Sequence, residues 1–340
     1  MSRRNLTIFI VMLLLGVAIF AWSFRDVSLQ QIVHELQNTN IWWLLIAVLC
    51  MVAYLLIEAA VVKLFVDDSK VTLSWRDAIR VPMVEQLGNG ITPFASGGQP
   101  MQLIALMQAG VDAGKAGSIL TMKFIIYQSM IVVNFILALL VGFHYIQDKL
   151  HEWATIVWLG FGMHVLVVLA LLALMFMPRL TNALVNVTFK IIGWFSKRKA
   201  QEWRPLVDEQ IEGFHKESQL MQENVRDVIR ASIVTFVQLV FYYLIPYFIL
   251  LALGAQNVDI IMVLAMHILI VMVISLFPIP GGSGGAEVGF AVLFQQFLPS
   301  HATLMFAMLL WRLITYYFGM FAGVVAFAIP TTRQMSKKKA

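Results

Sequence analysis

Charge is in short supply in this sequence: Asp, Glu, Lys and Arg make up 13% of its 340 residues, about half their share in soluble domains. Hydrophobic residues make up 60% and gather into long runs, so an ordinary soluble core is excluded and lipid must solvate most of the chain. Cysteine is nearly absent. The one thiol, Cys50, stands inside an apolar run without a partner, which excludes a disulfide framework and a thiolate metal site. HExxH, CxxC and Walker sequences are missing as well, so no metal, nucleotide or other cofactor is expected. The formal charge of +5 does not point to nucleic acid, because the basic residues stand between apolar runs, as the positive-inside rule requires of a membrane protein.

What is abundant is apolar length. A bilayer core roughly 30 Å thick needs about 20 residues of helix. Six runs meet or approach that length: Leu6 to Trp22, Ile41 to Val66, Ser118 to Phe143, Trp153 to Met177, Ala231 to Leu253 and Asp259 to Phe277. Ala302 to Ile329 is a seventh, and Ala286 to Leu298 is expected to cross or nearly cross as a short helix. The fold class is therefore an all-α polytopic membrane protein of about seven to eight transmembrane helices. The first run follows Arg3 and Arg4 without a small-residue cleavage site and reads as a retained helix. Arg25 and Lys149 fall on one side; Lys70, Arg76, Arg80, Lys115, Arg179 and Lys197 to Lys199 fall on the other. That asymmetry puts the N-terminus, and with it the tail Lys337 to Lys339, on the cytoplasmic side of a bacterial inner membrane. Ser196 to Arg230 is the one sizeable polar stretch. Its Trp203, Val207, Ile211, Phe214, Met221, Val225 and Val228 recur near helical spacing, predicting an amphipathic helix along the inner membrane face.

Two segments do not read as simple spans. Gly88 to Pro100 (GNGITPFASGGQP) continues into Met101 to Ala109, and Phe277 to Glu287 (FPIPGGSGGAE) continues into Val288 to Phe297. Each is a Pro/Gly break followed by a half-length apolar helix, then a short connection and a long span carrying a cation. Lys123 precedes Tyr127 and Gln128 in one copy; Arg312 precedes Tyr316 and Tyr317 in the other. The order predicts an internal repeat, about 41–143 and 231–329, of two re-entrant half-helices in a single integral membrane domain with 196–230 as linker. Unwound backbone survives at membrane depth only where protein or a wet cavity satisfies it, so the breaks point to a midplane site. The helix after each Gly-Gly pair offers N–H groups and a positive dipole end, which suits a phosphate. On this reading Gly97, Gly98, Pro278, Pro280, Gly281, Gly282, Gly284 and Gly285 shape a lipid-headgroup cavity.

Charge inside the spans sharpens the expectation. An unpaired Arg312 near mid-span would cost at least roughly 2.5 kcal/mol, and Glu287 either neutralises it as an ion pair or shares a headgroup with it. Lys123, nearer a helix end, either joins the cavity or snorkels to the interface. Glu58, with Lys63 beyond it, is expected to face the same space, while Glu85 and Gln99 border the first break and Tyr316 follows Arg312. His164 and His267 read as packed, hydrogen-bonded histidines; Asn134 and Gln238 read as interhelical hydrogen-bond glue.

From Ile41 onward the chain resembles the transmembrane region of the lysylphosphatidylglycerol synthase and flippase family, which includes the bacterial multiple peptide resistance factors. The resemblance is carried by Pro278-Ile-Pro-Gly-Gly-Ser-Gly-Gly-Ala-Glu287, by Trp311-Arg-Leu-Ile-Thr-Tyr316, and by Gly97-Gly-Gln-Pro100, where Gln99 replaces the family's usual acid. Full-length members add a soluble domain that transfers lysine from tRNA to phosphatidylglycerol. This chain ends shortly after its last apolar run, so the resemblance implies the flippase part. The expected partner is a membrane phospholipid, anionic or aminoacylated, alongside a homo-oligomer or a separate synthase. Two alternatives stand beside this: phosphatidylglycerol lysyl transfer by family membership, and a lipid-binding scaffold that moves nothing. Gly281-Gly-Ser283-Gly-Gly285 also satisfies G-x-S-x-G, but that elbow needs a preceding strand and no histidine follows His301 to serve the serine. No catalytic residue is assigned.

Overall fold

The computed structural model describes residues 29–67, 72–298 and 300–332, and all regular structure among them is helical. The predicted span Leu6 to Trp22, with Arg25, Lys70 and the terminal lysines, lies outside the described residues, as does the Lys149 side chain. A short helix α1 (Leu29–Asn38) leads into α2 (Ile41–Val66). Asn40 starts α2 by accepting the Trp42 N–H at 3.0 Å. Its 26 residues make a rod of about 39 Å, longer than the hydrocarbon core.

The chain then makes a broken hairpin from α3 (Trp75–Ile91), a tight tip at Pro93–Ala95, and α4 (Gly98–Ala109). Ser74 caps α3 by accepting the Asp77 N–H, and Pro93, lacking an N–H, cannot prolong it. The limbs are antiparallel: Gln102 of α4 meets Glu85 of α3, and Arg80 donates to Gln108 at 2.7 Å. Neither limb has the roughly 20 residues a crossing needs.

Helix α5 (Ala113–Phe176) is helical over 64 residues but is not a rod. His164 Nδ1 lies 2.6 Å from Gln128 Oε1, whereas the 36 residues between them would span about 54 Å of straight helix. Its two limbs, Ala113–Val141 and Thr155–Phe176, are therefore separate antiparallel spans, with the reversal between them. After them come α6 (Pro178–Phe195), whose exposed face includes Leu184, Val187, Ile191 and Trp194, and the polar α7 (Lys197–Glu223). The expected amphipathic helix is α7, but it ends at Glu223, and Val225 and Val228 belong to the helix that follows. Helix α7 is tied to the start of α5 by the Gly114 N–H donating to Gln210 Oε1 at 2.9 Å and by the Ser118–Ser218 hydroxyl pair at 3.0 Å. No apolar run announces α6, because Thr, Asn and Lys interrupt its Leu and Val residues.

The second half repeats the plan: α8 (Val225–Ala252), α9 (Ile260–Ile274), a tip at Pro280–Gly282, α10 (Gly285–Phe294) and α11 (His301–Arg312). A π turn over Leu313–Tyr317 joins α11 to α12 (Phe318–Ala328), together a span of 28 residues. Two expectations are corrected here. Asp259 to Phe277 is not a span, since α9 has only 15 residues. Nor does Ala286 to Leu298 cross: α10 runs back along α9, with Ile270 beside Gly289 and Gln296 donating to Met266 Sδ. Both Pro/Gly-broken segments are re-entrant hairpins, and five helices among the described residues are long and apolar enough to cross a membrane.

The halves pack head to tail. The Asn40 N–H at the start of α2 donates to Ala252 O at the end of α8, Trp43 stacks on Phe248, and Gln238 reaches Glu58. Helices α3 and α12 are likewise antiparallel, through Arg80 Nε to Ala326 O and Tyr316 Oη to Gly90 O. Corresponding elements thus run in opposite directions, the geometry that brings two re-entrant tips together from opposite sides.

Candidate functional site

The two tips share a backbone plan. Pro93-Phe-Ala-Ser-Gly-Gly98 and Pro280-Gly-Gly-Ser-Gly-Gly285 each place a proline before two residues in the left-handed region. Those residues are Gly281 (φ 66) and Gly282 (φ 63) in the second tip but Phe94 and Ala95 (φ 52 each) in the first. The first tip therefore carries strain that glycine removes from the second. Close approach is also demanded in the stem of the first hairpin, where a Cβ on Gly88 would sit 2.5 Å from Gly97 O. The tips touch each other, and Tyr316 Oη donates to Gly90 O at 2.8 Å across the seam.

Between them lies a cavity of about 620 Å³, within the range of ligand-holding pockets. Its walls hold two charged clusters, one per half. In the second, Arg312 donates to Glu287 Oε1 from Nε (2.9 Å) and Nη2 (2.7 Å), and to Gly281 O from Nη1 (2.8 Å). Its guanidinium also lies over the Trp311 and Tyr316 rings. Glu287 spends its other oxygen on the Gly284 N–H at 2.6 Å, so the N-terminus of α10 already has an anion. In the first cluster, Lys123 bonds Glu58 and, at 3.0 Å, Glu85. Gln102 donates to both carboxylates and Gln238 to Glu58 at 3.4 Å. Glu58, Lys123, Glu287 and Arg312 are all buried, and every one is charge-paired, as the membrane interior demands. Two polar atoms on the cavity wall, His164 Nε2 and Tyr243 Oη, are buried without a hydrogen-bond partner, places a polar guest can satisfy.

The family model described as the lysylphosphatidylglycerol synthase TM region matches residues 9–323. The chain belongs to this family. It is also similar to a UPF0104 membrane protein of Archaeoglobus fulgidus, 25% identical over 328 residues that cover 92% of this chain and 94% of that one. Both findings are those of a multi-pass membrane protein, in agreement with the helices.

Within this family member the residues singled out from sequence fall into three groups. Glu58, Gln99, Lys123, Gly281, Gly282, Arg312 and Tyr316 line the cavity. Glu287 stands behind Arg312, and Gly97, Gly98, Pro278, Pro280, Gly284 and Gly285 build the tips without lining it. Lys123 does not snorkel; it is buried between Glu58 and Glu85, and the amides of Gln102 and Gln238 bond those carboxylates. Lys63 turns away to Asp67 at 2.6 Å and Leu73 O. Asn134 is not interhelical glue, since it donates to Met130 O in its own helix. His267 is packed as expected, with the Trp311 indole N–H donating to it at 3.3 Å, whereas His164 is only half satisfied. The sequence reading missed Tyr54, Asn89, Gln102, Tyr242 and Tyr243. The signal available for Tyr54 was helical spacing: it stands one turn before Glu58 on the same face of α2.

Proposed function

We propose that this protein carries the polar headgroup of a membrane phospholipid, anionic or aminoacylated, between leaflets through the cavity where the two hairpin tips meet. One observation carries the reading: a charged, partly unsatisfied cavity lies between two oppositely directed re-entrant hairpins rather than in a solvent-facing loop. Such a seam opens alternately to either side when the halves rock against each other. Arg312 is the headgroup-binding cation, its fork matching a phosphate and its contact with Gly281 O exchangeable for one. Lys123, Glu58, Gln99 and Tyr316 complete the polar lining, and the lipid tails stay in the bilayer. In this reading the membrane is the bacterial cell membrane, the α3–α4 hairpin enters from the cytoplasmic side and the α9–α10 hairpin from the other.

The test is leaflet exchange of tail-labelled phosphatidylglycerol in proteoliposomes, read by dithionite quenching. Wild-type protein should speed exchange and Arg312→Ala should abolish it. The doubly neutral Arg312→Met/Glu287→Gln variant, which leaves no buried charge unpaired, should be folded and equally inactive. Wild-type exchange persisting in that double variant refutes the role of Arg312; a wild type that exchanges no lipid refutes translocation.

A further inference from the structure

The two clusters differ in charge balance. Arg312 has one carboxylate, Glu287, so the second cluster is neutral. Lys123 has two, Glu58 from α2 and Glu85 from α3, so the first carries one negative charge in excess, since two carboxylates and one ammonium sum to minus one. The remaining groups around it do not supply the missing positive charge. Gln102 from α4 and Gln238 from α8 are neutral, and the titratable groups facing the pair are the phenols Tyr54 of α2 and Tyr127 of α5. Across the same cavity stand His164, Tyr242, Tyr243 and the already paired Arg312. An uncompensated charge at such a site is expelled or neutralised, and two carboxylates held on one cation behave as a pair that shares a proton. A second observation points the same way: the single Gln102 amide nitrogen and the single Lys123 ammonium each contact Glu58 Oε1 and Glu85 Oε2, so the two carboxylates converge on one buried point instead of standing apart.

We infer that Glu58, Glu85 and Lys123 form a binding site for one exchangeable proton, and that its filling and emptying drive the movement of the headgroup. The inference rests on the translocation reading for its second half only. Glu58 belongs to a full-length span and Glu85 to a re-entrant limb, so adding the proton removes a repulsion between two elements that must shift for the cavity to change sides. The proton reaches them through the cavity that both line. The shared pair titrates as a unit, and neither carboxyl owns the proton.

The test is infrared titration of the full chain in nanodiscs of phosphatidylethanolamine and phosphatidylglycerol, paired with exchange of tail-labelled phosphatidylglycerol in vesicles of the same lipids. Wild-type protein should show a protonated-carboxyl stretch at neutral pH, where solvent-exposed carboxyls are ionised, and it should fade as pH rises. Either Glu58→Gln or Glu85→Gln should abolish it, because each variant leaves a single ionised carboxylate whose charge Lys123 balances. Two variants on two helices guard against one misfolding. In vesicles, an imposed pH gradient should bias wild-type exchange in one direction, and neither variant should respond to it. A missing band, a band that survives in either variant, or wild-type exchange indifferent to the gradient overturns the inference. A band with the double dependence in a wild type that exchanges no lipid upholds the proton site and sinks translocation instead.

Discussion

Breaking the Arg312–Glu287 pair is the perturbation whose size the structure allows to be worked out. Arg312 makes three charge-assisted bonds, two to Glu287 and one to Gly281 O, and both side chains are under 10% exposed. Arg312→Met strands a carboxylate held by a single N–H from Gly284, and Glu287→Gln strands a guanidinium; each should cost about 3 kcal/mol or more. The double variant Arg312→Met/Glu287→Gln buries no charge and loses mainly hydrogen bonds, so it should cost only about 2 kcal/mol, far below the sum of the singles. The protein carries its own reporter: Cys50, its one cysteine, is buried in α2, so maleimide fluorophore labelling during a denaturant titration follows unfolding. Single variants whose costs add to that of the double within about 0.5 kcal/mol would show that the pair is not coupled, and the reasoning about a charge-paired seam would fail.

Tyr316→Phe deletes the hydroxyl that binds Gly90 O across the tips, and the same labelling assay should read a loss of about 1 kcal/mol. Ala95→Gly should stabilise by about 0.5–1 kcal/mol, because it relieves a left-handed residue against the added freedom of the unfolded chain. Gly281→Ala should destabilise instead, since its Cβ would collide with the Tyr316 ring at a φ of 66°. Cysteines placed singly at Phe94 and at Gly282 in a Cys50→Ser background should be joined by a short bismaleimide, read as a mobility shift after cleavage between the halves; failure of every tip-to-tip pair would mean that the tips do not meet.

The spans were legible because lipid imposes a length on any helix that crosses it, and α2, both limbs of α5, α8 and the α11–α12 span all answer to that rule. The broken hairpins were legible as breaks, since Pro and Gly clusters have few other uses inside apolar sequence. Their direction was not. A 15-residue α9 and the α10 that follows look the same in sequence whether the chain turns back or continues across, and only the Gln296–Met266 and Gly289–Ile270 contacts decide it. The Arg312–Glu287 pairing followed from cost, for a cation at that depth needs a partner nearby. Lys123 was harder, because its partners come from α2 and α3, distant in sequence, and nothing in a single chain's order brings residues 58, 85 and 123 together.

The charged residues of the seam have a second duty that bears on how a guest could be moved. Turning a helix inside a membrane leaves carbonyl and N–H groups without partners, and water is not there to take them. Arg312 takes Gly281 O, Glu287 takes the Gly284 N–H and Tyr316 takes Gly90 O, so the groups facing the cavity also hold the broken backbone in place. A phosphate that engages Arg312 must displace Gly281 O or share the guanidinium with it. Binding is thereby tied to the shape of the tip, and a tip whose backbone bond has been surrendered is freer to move against its partner. A ligand that binds one tip geometry better than another shifts the balance between them by that difference in affinity, which is the physical requirement for a site that opens first to one side and then to the other.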